Sequence, residues 1–360
     1  MDKNTLHALL RKMVETDASD LFLTVGAPPH IKVQGESWPL SVPPLQSGQA
    51  QALAYSIMSA QQIADFERQL EANLSYTAPD IGRFRVSVYR QRGETAMVAR
   101  LMHATIPDFE SLGLPPVVQD LALLRRGLLL VVGAAGSGKS TTLAAMIDYR
   151  AHNSQGHILT VEDPIEYLFT HDRCTVDQRE VGIDTHSFAD ALRNAMRQAP
   201  DIIMIGEIRD RETMEHAIAY AETGHLCVST LHAANASQAL KRIINFFPEN
   251  LHPQLRMDLS LNLQAVISQR LLPGHEGKRV LATELLLHSA YVADLILKGA
   301  VDEIRHAIEK SGGVGMHTFD QVLLELFNAG RIDQDTALAN ADSRTDLSLR
   351  MRVHSAYDPR

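Results

Sequence analysis

The stretch GLLLVVGAAGSGKSTTLAAM, residues 127–146, constrains the fold more than any other part of the chain. A continuous apolar run breaks into a glycine-rich turn carrying one lysine, then resumes with helical periodicity, so strand, tight loop and helix are expected in succession. Gly133, Gly138, Lys139 and Ser140 fit G-x-x-x-x-G-K-[ST] without a mismatch, with Gly136 and Ser137 between them. Glycines at these places let successive backbone N–H groups face phosphate oxygens, and the helix that follows directs its positive end at the same charge. Lys139 is expected to reach the β- and γ-phosphates of ATP, Ser140 to ligate Mg²⁺, and Thr141 to complete the cradle. A dinucleotide-binding turn fits less well, because GSGKST lacks the last glycine of G-x-G-x-x-G.

A chain of 360 residues, 45% hydrophobic and 21% charged, is long enough for two or three domains with a sizeable core. Its formal charge of −9 argues against a nucleic-acid binder, since affinity for phosphate backbones rests on clustered Lys and Arg. No stretch approaches the roughly 20 uninterrupted apolar residues of a membrane-spanning helix, and no secretory signal opens the chain, so a cytoplasmic place is expected. Cys174 and Cys227 form no CxxC pair and read as packing residues.

Residues 1–105 read as a small α+β domain: a helix over Asp2–Glu15, strands in LFLTVG and HIKVQG, and an alternating strand GRFRVSVYR. A proline-containing linker is placed at 106–116. From 117 to 340 the pattern is α/β. The apolar runs GLLLVVG, HILTVED, DIIMIGE and HLCVSTL alternate with helical segments, as in a parallel-rich sheet covered on both faces. Beyond Asn235 the chain reads as almost wholly helical, including LRMDLSLNLQAVISQRLL, and residues 341–360 read as a flexible tail.

Ligands of open parallel sheets collect at the carboxyl ends of the strands. That rule gathers Gly133, Glu162 with Asp163 and Glu166, Glu207, and His232 along one edge. A carboxylate there can take a proton from, or orient, the water that attacks a γ-phosphate, which makes Glu162 and Glu166 alternative bases. Glu207 ends DIIMIGE where many phosphate-cradle enzymes carry a preceding Asp, here Gly206, so Glu207 alone supplies the magnesium-side carboxylate; an ordinary salt bridge to Arg209 is the plainer alternative. His225 and His232 are seven residues apart, so both approach one ligand only if the strand ends before His232. Zinc has no support, as no HExxH occurs. On GRFRVSVYR, Arg83 and Arg85 share one face, opposite Phe84, Val86 and Val88, followed by Arg90, Arg92 and Arg100. They are candidates for stabilising γ-phosphate charge in a neighbouring copy, against the alternative of a solvated strand face.

The cradle, LTVEDPIEY, GEIRDRETMEHAIAYAETGHL and STLHA resemble the Walker A, Asp box, Walker B and His box of the secretion and type IV pilus ATPases. ASDLFLTVGAPP and GRFRVSVY extend the likeness to the first domain of the retraction (PilT/PilU) branch, and AAGSGKSTTLAAMIDYR is most similar to its PilU-type members. The resemblance implies a PAS-like first domain, a RecA-like P-loop second domain and a homohexamer that hydrolyses ATP to drive pilus retraction. It implies catalytic roles for Glu166, Glu207, His232, Arg83 and Arg85, and nucleotide contact by His225. It also implies two partners, a paralogous retraction ATPase and an inner-membrane pilus platform protein, at the cytoplasmic side of the pilus base. AYVADLI at Ala290–Ile296 stands where PilT-type motors carry an AIRNL helix, and Phe22 replaces the histidine of ASDLHL. Both departures point to an accessory rather than an independent motor. An assembly or secretion ATPase of the same superfamily and a RecA-like nucleic-acid translocase are the alternatives.

Overall fold

Asp2 accepts a hydrogen bond from the Thr5 amide and so starts the helix Lys3–Glu15, whose Leu6, Leu10 and Met13 fall on one stripe and are fully buried. A computed structural model describes residues 2–33, 35–102, 105–275, 279–311 and 315–357, with side chains described as far as Arg352. The chain forms two compact units that divide between Thr105 and Ile106, except that residues 166–168 group with the first.

The first unit carries a six-stranded antiparallel sheet: β1 (Asp20–Leu23), β2 (His30–Val33), β3 (Glu36–Pro39), β4 (Glu71–Ala78), β5 (Gly82–Gln91) and β6 (Glu94–Met102), in the order β3-β2-β1-β6-β5-β4. On β5 the alternation is strict. Phe84, Val86 and Val88 are fully buried, whereas Arg85 is exposed. Two arginines of the expected group are committed inside this unit: Arg90 bonds Glu67 at 2.8 Å and Arg100 bonds Asp20 at 2.7 Å. Both acids precede the arginine run in sequence.

The second unit is built on β7 (Gly127–Gly133), β8 (Gly156–Glu162), β9 (Cys174–Glu180), β10 (Ile202–Ile205), β11 (Leu226–Leu231), β12 (Leu263–Pro273) and β13 (Arg279–Leu287), in the order β13-β12-β7-β11-β10-β8-β9. Every neighbouring pair is parallel except β12 with β13. Every residue of β7 is buried, because helices cover both faces and split the core in two: Leu128, Leu130 and Val132 face one cluster, Leu129 and Val131 the other.

Two expectations from the sequence are corrected. LRMDLSLNLQAVISQRLL is not one helix. It is helical to Asn262, then becomes β12, where the β-branched pair Val266 and Ile267 lies against β7. The segment 106–116, read as a linker, groups with the second unit, where Phe109 is buried and stands edge-on to Tyr149 at 5.1 Å. The stretch after 340 is not a loose tail. It forms the helix Arg344–Tyr357, and Leu347 and Met351 enter a separate core with Phe319, Leu323 and Leu272. Burying two such side chains is worth about 1.5–3 kcal/mol each, enough to dock a short helix.

Candidate nucleotide site

The cradle takes its shape from close packing at the end of β7. A Cβ on Gly133 would lie 2.6 Å from the Gln269 carbonyl oxygen and 2.3 Å from Ser137 Oγ, so no side chain fits there. Gly138 caps the helix Lys139–Asn153 at φ +87°, a conformation that suits glycine. No acidic residue lies in the first turn of that helix, so its unpaired N–H groups and roughly half a positive charge face the loop undiminished. Lys139 is buried along its stem, and its ammonium donates to the carbonyls of Gly133 at 3.1 Å and Ala134 at 2.8 Å. Ser137 Oγ is buried with no partner among the described residues, as a donor kept for a ligand would be. These features fit a polyphosphate.

Parallel register brings the other groups to the same edge. Leu231 lies opposite Val132, and Ile205 opposite both Val161 and Ser229, so His232 ends its strand next to Gly133, and Gly206 and Glu162 end theirs two and three strands along the same edge. Cross-links hold these tips together. The Thr230 hydroxyl donates to the Gly206 carbonyl at 2.7 Å, and the Ile208 amide to the Thr230 carbonyl at 2.9 Å. A Cβ at Gly206 would meet the Val161 carbonyl at 3.3 Å and Glu162 Cα at 3.4 Å, which accounts for glycine where an aspartate was the usual expectation.

Glu207 is bound by Arg209, which also reaches Asp163 at 3.5 Å, and His232 Nε2 lies 3.6 Å from Glu207 Oε2. The Arg209 hydrogen bond, helped by the charges of Arg209, His232 and Lys139, holds the Glu207 carboxyl below its ordinary range against the effect of burial. Burial and the Lys139 charge push the His232 pKa down despite Glu207, so the imidazole is neutral at pH 7. The salt bridge to Arg209 and the proximity to Lys139 coexist on one carboxylate.

Glu162 is buried and occupied. Its Oε1 accepts from the Thr160 hydroxyl at 2.6 Å and from Gln178 Nε2 at 3.1 Å. Glu166 is exposed and groups with the first unit. His225 is placed away from the cradle: it precedes β11 at the end where Leu226 lies opposite Gly127, with Thr223 Oγ1 at 3.1 Å from its Nδ1. The six residues of β11 put it roughly 20 Å from His232, so the expectation that both histidines serve one nucleotide in this chain is corrected. The sequence reasoning missed Gln178 and Glu180 on the edge strand β9. It also missed Gln269, whose amide bonds Thr142 of the cradle helix at 2.6 Å. Alternation in CTVDQRE was the available signal for β9; nothing local marked Gln269.

A polyphosphate-shaped loop with a carboxylate and a histidine at the carboxyl edge of a mostly parallel sheet is the arrangement of a RecA-like P-loop ATPase. The profile of the Type II/IV secretion system protein family matches residues 3–298. The type IV pilus ATPase PilU of Pseudomonas aeruginosa is 52% identical over 351 residues, covering 97% of this chain and 92% of that protein. The type IV pilus retraction ATPase PilT of the same organism is 41% identical over 92% of this chain and 97% of its own length. The crystal structure of the pilus retraction motor PilT with bound ADP has a TM-score of 0.90 at 42% identity, covering 96% of this chain and 98% of that one. The chain belongs to the type II/IV secretion system protein family, within its PilT/PilU group of type IV pilus ATPases.

Proposed function

We propose that this ATPase drives type IV pilus retraction as a ring of six copies, acting beside a paralogous principal motor and against a platform protein at the cytoplasmic side of the pilus base. The observation that carries the chemistry is the convergence of Lys139, Glu207 and His232 at one strand edge. The similarity to PilU and PilT carries the pilus assignment.

Lys139 and the amides of Gly136–Thr141 hold the β- and γ-phosphates. Ser140 and Glu207 would hold Mg²⁺ through a hydroxyl and a carboxylate, and the ion would offset phosphate charge. Glu162 already accepts two hydrogen bonds, so Glu166 is assigned the base that orients water, and neutral His232 donates toward the terminal phosphate. Arg83 and Arg85 of a neighbouring copy supply positive charge as the γ-phosphate leaves. The AYVADLI helix in place of AIRNL supports an accessory role.

One variant tests both layers. Purified Lys139→Ala should show no ATP turnover at saturating magnesium, and a strain carrying only that form should accumulate unretracted surface pili. Normal turnover would overturn the site, and a bald cell would reassign the motor to extension.

A further inference from the structure

We propose that the segment Asn340–Asp342, folded back by Arg270, is the wall that holds the nucleoside part of ATP, so that base and ribose affinity depends on the C-terminal region while phosphate affinity does not. This rests on the nucleotide site described above. A cleft of about 780 Å³ starts at Ala134–Ser137 of the cradle, runs past Gln269–Gly274 and Arg279, and reaches Asn340. That volume is well beyond a triphosphate and within the range of whole-ligand pockets. Next to the cradle it is lined by the small residues Ala134, Ala135, Gly136 and Ser137. Farther along, Leu271 and Pro273 offer the apolar surface a flat base requires.

Arg270 closes the far side. Its guanidinium donates to the Asn340 carbonyl and, at 2.6 Å, to Asp342 Oδ1, and lies 3.8 Å above the ring of buried Phe319. A planar fork engaged on two acceptors and one ring is a fixed part, which lysine cannot copy. Asp320 holds the same segment from behind, accepting from the amides of Asp342 at 2.8 Å and Ser343 at 3.0 Å, and is itself bound by Arg305 at 2.6 Å. Asp342 Oδ2 remains buried without a partner among the described residues, so this carboxylate keeps spare acceptor capacity next to the fork. The family profile ends at residue 298, so the wall lies outside the pattern that the whole family shares.

The test compares ADP and pyrophosphate binding to the full-length protein by calorimetry, in the unaltered chain and in Arg270→Lys, Asp342→Ala and Lys139→Ala. Arg270→Lys and Asp342→Ala should weaken ADP about tenfold and leave pyrophosphate within about twofold, retained pyrophosphate binding showing that the cradle is folded. Unchanged ADP affinity in both variants, or a parallel loss of pyrophosphate, would overturn the wall. If Lys139→Ala binds both ligands normally, the cradle assignment itself fails, a result distinct from failure of the wall.

Discussion

At the scale of single residues, the two candidate bases are separable because they carry different structural duties. Glu162 is buried and accepts from Thr160 and Gln178, so Glu162→Ala would remove the acceptor of a fully buried hydroxyl, at about 1–3 kcal/mol, and one acceptor of a half-buried amide. Glu166 is exposed. Glu166→Ala is therefore expected to lower kcat by a factor on the order of 10²–10⁴ with an unchanged urea midpoint, whereas Glu162→Ala shifts the midpoint. Stopped turnover without loss of stability in Glu162→Ala would reverse the assignment. The cradle was legible from sequence because its chemistry is local: four residues within eight fix glycine, lysine and hydroxyl at set spacings. The partners of Glu162 were not. Gln178 comes from another strand, and only register places it opposite Thr160.

At the scale of elements, the strands β7, β8, β10 and β11 were readable as continuous apolar runs, while β12 was not. Its pattern, buried at every position from Ala265 to Gln269 because a core lies on each face of the sheet, has neither the period of a helix nor that of a half-exposed strand. The helix Arg344–Tyr357 was hidden for the opposite reason, its two buried anchors being sparse among polar residues. The small C-terminal core they join has a pH signature. His317, beside Thr283 at 2.9 Å on β13, is held below its ordinary value of 6.5 by burial. A base with a depressed folded pKa resists protonation only in the folded state, so stability is lost as pH falls through 6.5 toward the folded value. Burial shifts the Glu284 carboxyl upward, and that contribution runs the other way. Comparing variants removes it. Between pH 7.5 and 5.5, the unaltered protein should lose more stability than His317→Gln by up to about 1 kcal/mol in urea titrations. Equal losses would mean that His317 titrates normally.

At the scale of the whole molecule, nothing in periodicity or motif spacing states how copies meet, because an interface between copies is written in surface residues with no required order. The argument for a ring rests on charge. Of the arginines expected to serve catalysis, Arg90 and Arg100 are paired within their own unit, while Arg85 on β5 is exposed and shares its strand face with Arg83. If those two complete a neighbour's site, each working site needs Lys139 from one copy and the arginines from the next. Homogeneous Lys139→Ala rings and homogeneous Arg83→Ala/Arg85→Ala rings should then both be inactive, the latter by a factor on the order of 10³. Co-expressed in equal amounts, the two variants form mixed rings in which about a quarter of the head-to-tail contacts join an intact cradle to intact arginines. Turnover near a quarter of the unaltered rate is therefore expected from purified mixed rings. Activity no higher than that of either parent would confine the arginines to a role within their own subunit, and with it remove the reason for hydrolysis to pass from copy to copy around the ring.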